Sequence, residues 1–486
     1  MRMRHCGVVL ASAIGCFLSG CMVGPRYAKP TVPLTPNFLE TEERKEAEGW
    51  KVAQPHDDLI RGKWWELYGD RTLNEIEEQV DSSNQDLKIA EANLRQARAA
   101  IRFNRASQAP TIGTSPSISD IRDSANQPYF PSSSVNNGSG DFVLPFDLSY
   151  EVDLWGRVRR SVAAAKQQAQ ASAADLETAR LSLHAEVAVD YFEVRSADAQ
   201  ERLLNDTVKA YTEALRLTQN RFEGGAAPKS DVAQAQTQLK AAQVLASDIT
   251  VQRAQYEHAL AILIGKPPAA FHLAVSPLNL VAPVLPTTPV TLPARLLERR
   301  PDIAAAERRM ASANEHVGIA KAAYYPTLNL AASAGLEGSS ILNWLTWPSR
   351  FWAVGPDLSE TLFDAGRRRA TTESARAGFD GAVASYRQTV LDAFQQVEDN
   401  LVVLRVLGTE STQQQQATSA AEESLKLFQN RYAGGVDTYL QVVTSQTTAL
   451  TNERNDIDIL RRRLEANVLL IKAMGGGWDV SNLPQF

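Results

Sequence analysis

Histidine and cysteine, the side chains that most often hold metals or act as nucleophiles, do not form a site pattern in this chain. The six histidines are scattered, and none is spaced with another histidine, a cysteine or an aspartate as a metal site or a catalytic triad would require. The glycine run 475–477 is followed by neither a helix nor the GK[ST] sequence of a phosphate-binding loop. The sequence therefore predicts no metal, no cofactor and no enzymatic activity.

Cys21 is the one cysteine with a predicted role, that of a lipid anchor. The chain starts with Arg2 and Arg4, continues with an apolar run over 6–18 that is too short to span a membrane, and reaches Leu18-Ser19-Gly20-Cys21. That order is typical of a bacterial lipoprotein signal, in which the cysteine is acylated and becomes the mature N-terminus. We predict a signal peptide over 1–20 and a covalent lipid on Cys21, with an ordinary secretory signal as the alternative. Met22, in place of an aspartate, is compatible with sorting to the outer membrane.

Charge and hydropathy limit the remaining classes of function. The formal net charge of −6 argues against a nucleic-acid partner. No stretch after the N-terminus reaches the roughly 20 apolar residues of a membrane-spanning helix. Any passage through a membrane must then use β-strands, whose alternating side chains leave no hydropathy peak.

The sequence is an internal duplication. The segment 220–225 (NRFEGG) recurs as 430–435 (NRYAGG), and 147–149 recurs as 357–359 at the same offset. Earlier in each copy the offset is larger, since 110–112 pairs with 326–328. The first copy therefore carries extra residues between about 113 and 146, and we predict an exposed loop over 120–140.

Two long stretches, 157–222 and 367–432, are predicted helices. Neither contains proline, glycine is almost absent, and both are rich in Ala, Gln, Glu and Leu. About 65 residues rising about 1.5 Å each form a rod near 100 Å. Such a rod buries its apolar stripe only against other helices. The segments 228–264 and 436–474, which run back from the Gly-Gly turns, would supply the first neighbours.

Alternating side chains predict strands between the helices. The even positions of 142–154 are apolar, whereas its odd positions include Asp147 and Glu151. The segment around Asp357 is the weaker counterpart, and partner strands are predicted after Pro110 and Pro326. A soluble sheet with one wet face would alternate in the same way. If the strands cross a membrane, four per chain cannot close a barrel, because closed barrels begin at about eight, so several chains must share one.

These elements divide the chain into six parts. They are the signal peptide 1–20, an anchored N-terminal extension 21–70, a first structural repeat 71–266, a proline-rich connector 267–294, a second structural repeat 295–474, and a tail 475–486 that we expect to be loose.

The chain resembles the TolC family of outer-membrane efflux factors, in the lipoprotein branch typified by NodT and OprM. The resemblance covers nearly the whole mature chain and is carried by the lipobox, by WWELYGD at 64–70, by DLSYEVDLWGR at 147–157, by RRPDI at 299–303, by AYYP at 323–326, and by the two Gly-Gly turns.

The resemblance implies a mainly α fold with a small β part. Long antiparallel helical hairpins would form a periplasmic tunnel, and four strands per chain would contribute to a 12-stranded barrel shared by a homotrimer in the outer membrane. It also implies a passive exit duct for drugs or other toxic small molecules. The partners would be a periplasmic adaptor protein and an inner-membrane transporter of RND type, with no nucleic acid.

The resemblance places a gate at the two hairpin tips. The tips contain Gly224 and Gly225 in the first repeat and Gly434 and Gly435 in the second. By position, Tyr432 matches the family's aromatic residue and Asp231 its acidic partner. The family's pair of aspartates is replaced by Gln441 and Thr444, so Asp437 is the candidate for an acidic ring.

Purely structural interpretations of the tip residues stay open. The glycines could do no more than form the turns, and the tip charges Arg221, Arg431, Glu223 and Lys229 could simply be solvated.

Asp147, Glu151 and Asp357 are predicted to face the lumen and favour cations. Two other classes compete with a duct: a lipid-anchored periplasmic adaptor, which usually carries one hairpin, and a lipid-anchored hydrolase, which no motif supports.

Overall fold

The computed structural model of the chain describes residues 22–32, 38–40, 62–122, 124, 138–280, 285–286 and 293–486. Within these residues the chain is mainly helical and carries one small antiparallel sheet. The predicted signal peptide, Cys21, most of the predicted loop 120–140 and part of the connector lie outside them.

The two repeats have corresponding elements, except that the first strand is split in the first repeat and a single helical turn lies between the strands of the second. The first contains α1 (Arg71–Ser83), α2 (Gln85–Ala106), β1 (Thr111–Gly113), β2 (Ser117–Ile121), β3 (Ser139–Val152), α3 (Arg157–Glu223) and α4 (Lys229–Leu263). The second contains α5 (Pro293–Arg299), α6 (Pro301–Ala322), β4 (Thr327–Gly338), the single turn α7 (Ile341–Trp344), β5 (Arg350–Ser359), α8 (Arg367–Ala433) and α9 (Tyr439–Ala473).

The helical hairpins of the two repeats are equal in length. α3 and α8 have 67 residues each, and α4 and α9 have 35 each. The predicted long helices are therefore confirmed, and each is a rod of about 100 Å. Both begin after a glycine in the left-handed region, Gly156 at φ 81° and Gly366 at φ 89°, where the chain turns from strand to helix.

The sheet has four antiparallel rows in the order β1/β2, β3, β4, β5. The predicted number of rows is right, but the first row is broken into two strands that both pair with β3, Ile112 opposite Leu148 and Ile118 opposite Phe142. Prolines explain the break. Pro116 lies within it and Pro145 lies opposite, and neither has an N–H to donate to the ladder.

The main core lies where the N-terminal segment meets α3, α4 and α9. The 3-10 turn Trp64–Tyr68 buries its aromatic rings against this helix layer, and the Tyr68 ring lies 5.0 Å from that of Phe192. The Tyr68 hydroxyl donates to the side-chain oxygen of Asn467 on α9 at 2.7 Å. The WWELY motif therefore holds the middle of the rods together.

The C-terminal tail is docked, so the expectation of a loose tail is wrong. Gly475, Gly476 and Gly477 all have positive φ and turn the chain back along the bundle. Trp478 then packs on buried alanines of α3 and α6, and the Phe486 ring lies 5.3 Å from the Arg98 guanidinium. The apolar area of these rings stabilises a segment that its glycine-rich start had suggested was free.

Candidate functional site

The two hairpin tips have the same backbone. In the first tip the Ala226 N–H donates to the Arg221 carbonyl at 2.7 Å, and in the second the Val436 N–H donates to the Arg431 carbonyl at 2.9 Å. Gly225 and Gly435 both have φ of 75°, a conformation that favours glycine. The preceding glycines, Gly224 and Gly434, have φ of −76° and −75° and need no such freedom. The predicted turns are confirmed.

The charges of the second tip are paired locally. Arg431 forms an ion pair with Asp437, and its side chain is 57% exposed while that of Asp437 is 19% exposed. Asp437, the candidate for an acidic ring, therefore carries a partly neutralised charge within its own tip. An exposed pair of this kind contributes little to stability, because solvent and salt screen it.

Tyr432 is buried beside α9 and does not reach Asp231. Its ring lies 5.2 Å from that of Tyr439, and its hydroxyl has no hydrogen-bond partner among the described residues. Asp231 lies in the first turn of α4, beside the Ser230 hydroxyl at 3.5 Å. The predicted link between Tyr432 and Asp231 is therefore not formed within the chain. Burial raises the pKa of Tyr439 to about 12.

Arg221 is the tip residue whose role the sequence interpretation missed. Its guanidinium carbon lies 4.5 Å from the centre of the Tyr432 ring, and its Nη1 donates to the Tyr432 carbonyl at 2.6 Å. Arg221 thus connects the tip of the first hairpin to that of the second. It lies 211 positions from Tyr432, and no local pattern signals such a contact.

Two of the predicted lumen residues lie in one line across the strands, on the polar face of the sheet. Glu151 lies opposite Asn329, which in turn lies opposite Asp357. Glu151 is not a free anion, because the Arg157 Nε donates to its Oε1 at 2.8 Å. Asp147 lies four residues before Glu151 on the same face, opposite Ser333, and both Asp147 and Asp357 are exposed.

The opposite face of the sheet is apolar and exposed. Its side chains include Ile112 at 71%, Trp352 at 75%, Val354 at 73% and Leu358 at 68% exposure. A monomeric soluble protein rarely leaves a continuous apolar patch of this kind uncovered. The face therefore requires an apolar environment.

Aromatic residues lie at both ends of the strands. At the end farther from the helices, the Trp344 ring lies 5.7 Å from Phe142, and the Trp347 ring lies 4.5 Å from the Arg350 guanidinium carbon. At the end where the strands join the helices, Trp155 stacks on Tyr325 at 4.7 Å. Rings at both ends suit the two interfaces of a membrane.

The chain just after Cys21 is fixed at the same junction. The Val23 N–H donates to the Trp155 carbonyl at 3.1 Å, and the buried Arg160 donates from Nε to the Val23 carbonyl at 2.8 Å. Arg160 is itself paired with Glu315 at 2.6 Å. The segment that starts at Met22 is therefore held beside the strand–helix junction.

Neither a metal site nor a membrane-spanning helix appears in the part of the chain that the structure describes. No group of three or more histidine, cysteine or acidic side chains is placed to hold a metal ion. No helix in these ranges has the length and apolar content to cross a membrane.

An exposed apolar sheet with aromatic ends, continuous with paired helical rods whose tips meet, defines a channel subunit. A family model described as outer membrane efflux protein matches residues 78–266 and 292–476. The chain belongs to this family.

Known proteins resemble the chain over nearly its full length. The solvent efflux pump outer membrane protein SrpC of Pseudomonas putida is 30% identical over 468 residues, covering 96% of this chain and 97% of SrpC. The outer membrane protein OprJ of Pseudomonas aeruginosa is 31% identical over 478 residues, covering 97% and 96%. The solved structure of the outer-membrane channel OprN has a TM-score of 0.86 at 28% identity, covering 94% of this chain and 100% of that one.

These similarities confirm the predicted family, the mainly helical fold with a small antiparallel sheet, and the location in the outer membrane with extension into the periplasm. They also confirm the predicted role as the outer-membrane channel of an efflux system. The family is one of channel proteins.

Proposed function

We propose that the chain acts as a lipid-anchored homotrimer that forms a passive exit duct for toxic small molecules. The observation that carries the proposal is the sheet, which combines an exposed apolar face with two edges, β1/β2 and β5, that pair with no further strand among the described residues. Open edges are unstable in lipid because their N–H and C=O groups lack partners. Three copies joined edge to edge would close a barrel of about twelve strands around a pore.

The tips supply the proposed contact with a periplasmic adaptor. Phe222 is 43% exposed, Val436 is 68% exposed and Leu440 is 55% exposed, so apolar side chains of both tips face outward. Apolar residues at the ends of paired helices suit docking against another helical hairpin. An inner-membrane transporter of RND type would drive export through that adaptor.

The substrate class is proposed from the relatives. Proteins named for solvent, toluene and antibiotic efflux are similar over nearly the full chain. An apolar or amphipathic small molecule passing unchanged fits a family of channels. Closure would involve Asp231, Tyr432, Arg431 and Asp437 at the tips, with the acidic members acting between neighbouring copies.

The assembly is tested with the purified full-length chain in mild detergent. We expect a trimer by native mass spectrometry and on unheated gels, which dissociates on boiling. Cys21→Ser is expected to keep the trimer but lose the mass of the acyl groups. A water-soluble monomer, or a trimer that forms without detergent, would contradict the proposal.

Transport is tested in cells that lack their own outer-membrane efflux channel. Expression of the chain with an adaptor and transporter is expected to restore tolerance to toluene and to lower accumulation of a lipophilic cationic dye. Expression of the adaptor and transporter alone is the control. Equal accumulation in both would contradict a duct function.

A further inference from the structure

Equivalent arginines in the two tips have different partners. Arg221 and Arg431 occupy the same position of two turns that share their backbone hydrogen bonds. Arg431 pairs with Asp437 in its own tip, whereas Arg221 donates to the Tyr432 and Ala433 carbonyls of the other hairpin, at 2.6 and 3.3 Å. The duplication thus supplies an internal comparison for the role of Arg221.

The two arginines have different partners because the residue of the first tip at the position equivalent to Asp437 is uncharged. That residue is Ala227, which has no charge. Arg221 therefore has no carboxylate at the position that pairs with Arg431 in the second tip, and it extends to the neighbouring hairpin. There it meets the last carbonyls of α8, where the helix dipole favours a cation, and the face of the Tyr432 ring, which attracts a guanidinium.

An apolar cluster lies behind this contact. Tyr432 is 5% exposed and packs with Tyr439 and Val442 of the second hairpin and with Ala235 of α4, while Leu215 of α3 borders the group. Side chains of both hairpins thus bury the Tyr432 ring on one side, and Arg221 covers it on the other. The ring is the point at which the two tips of one chain meet.

We propose that Arg221 is a positioning residue that fastens the two tips of each chain together and so holds the periplasmic end of the duct in its resting arrangement. The effect of Arg221 on the duct rests on the proposed function, whereas the contact between the two tips does not. Separation of the tips would expose Tyr432 and leave the α8 terminus without its cation.

Hydrogen exchange of the full-length chain in detergent, followed by mass spectrometry, tests the fastening directly. In Arg221→Ala the peptide over 430–440 is expected to exchange roughly tenfold faster, which corresponds to about 1.4 kcal/mol. Arg221→Lys keeps the charge but cannot stack or reach both carbonyls as well, so an intermediate rate is expected. A residue that acted only within its own turn would change exchange in the first tip alone.

Ala227→Asp is the matched variant, because it gives Arg221 the local carboxylate that Arg431 already has. It is expected to loosen the second tip as Arg221→Ala does, although the arginine is still present. Arg431→Ala is the control and is expected to change exchange in the second tip only. Wild-type exchange over 430–440 in both Arg221→Ala and Ala227→Asp would overturn the proposal.

Conductance in planar bilayers separates this proposal from the proposed function. Arg221→Ala is expected to raise the open fraction of single channels relative to wild type. If neither wild type nor Arg221→Ala conducts, the duct function fails, while the exchange result still decides whether Arg221 holds the two tips together. If wild type conducts and Arg221→Ala matches it, Arg221 does not hold the resting arrangement.

Discussion

The Nδ1 atom of His184 lies 2.7 Å from Oε2 of Glu77, in the middle of the helical rods and under the ring of Trp65 at 4.3 Å. Both side chains are almost fully buried, at 3% and 0% exposure. The sequence interpretation treated His184 as an isolated residue. The pair holds α1 against α3, far from both the tips and the sheet.

Burial of Glu77 predicts a pH dependence of stability. Desolvation raises the pKa of the Glu77 carboxyl from 4.5 to about 7, against the opposing effect of His184. The folded chain then binds more protons than the unfolded chain between these values, so this group's contribution to stability falls as pH rises through that window, by at most about 3 kcal/mol. In Glu77→Gln we expect the unfolding temperature in detergent to differ less between pH 5 and pH 8 than in wild type.

Asp81→Asn is the matched control for Glu77, since the Asp81 carboxylate also lies near His184, at 3.6 Å, but is half exposed. It should keep the wild-type pH profile. A Glu77→Gln profile as steep as that of wild type would show that the buried carboxyl does not titrate in this range.

The two faces of the sheet predict opposite outcomes for neighbouring substitutions. Val354→Asp places a charge on the exposed apolar face, whereas Ala353→Asp places it on the polar face with Asp357. A charged side chain facing lipid is destabilising, by about 2–4 kcal/mol for Arg or Lys at mid-membrane and by less for Asp. We expect Val354→Asp to reduce the yield of membrane-inserted trimer and Ala353→Asp to leave it unchanged, measured by membrane fractionation and unheated gels. Equal yields would contradict a lipid-facing assignment.

Tyr432 separates two accounts of tip closure. Because the Tyr432 hydroxyl has no hydrogen-bond partner in the part of the chain that the structure describes, Tyr432→Phe is expected to leave the closed-state conductance unchanged. Tyr432→Leu removes the ring under Arg221 and is expected to raise that conductance. A closure that depends on a Tyr432–Asp231 link between copies predicts instead that Tyr432→Phe and Asp231→Ala both raise conductance. Single-channel recordings of the four proteins, wild type included, decide between them.

The docked tail predicts a stability role for Trp478. Its ring packs with Ala174, Ala304 and Ala305 and so joins the two repeats. Trp478→Ala is expected to lower the free energy of unfolding by about 2–3 kcal/mol, at the lower end for a large aromatic residue because the ring is only partly buried. Val480→Ala, at an exposed position of the same tail, is the control. Thermal unfolding in detergent measures both, and equal unfolding temperatures would contradict the packing role.

The long helices and the sheet rows could be predicted because their signals are local. The absence of proline over 67 residues predicts the helices α3 and α8, and the alternation of apolar and polar side chains predicts the strand β3. The break between β1 and β2 was missed because it depends on Pro145 of β3, which only the strand register places opposite the gap that contains Pro116. Arg221 and His184 were misjudged for the same reason, since their partners lie 211 and 107 positions away.

The equal lengths of the duplicated rods have an evolutionary consequence. Each residue added to a helix moves its end by about 1.5 Å and rotates it by about 100°. An insertion in α3 alone would therefore carry Arg221 past the ring of Tyr432 and turn it to another side of the bundle. Insertions that change how far this protein extends across the periplasm must then occur in matched pairs, one in each repeat. Only matched insertions keep the contact between the two tips.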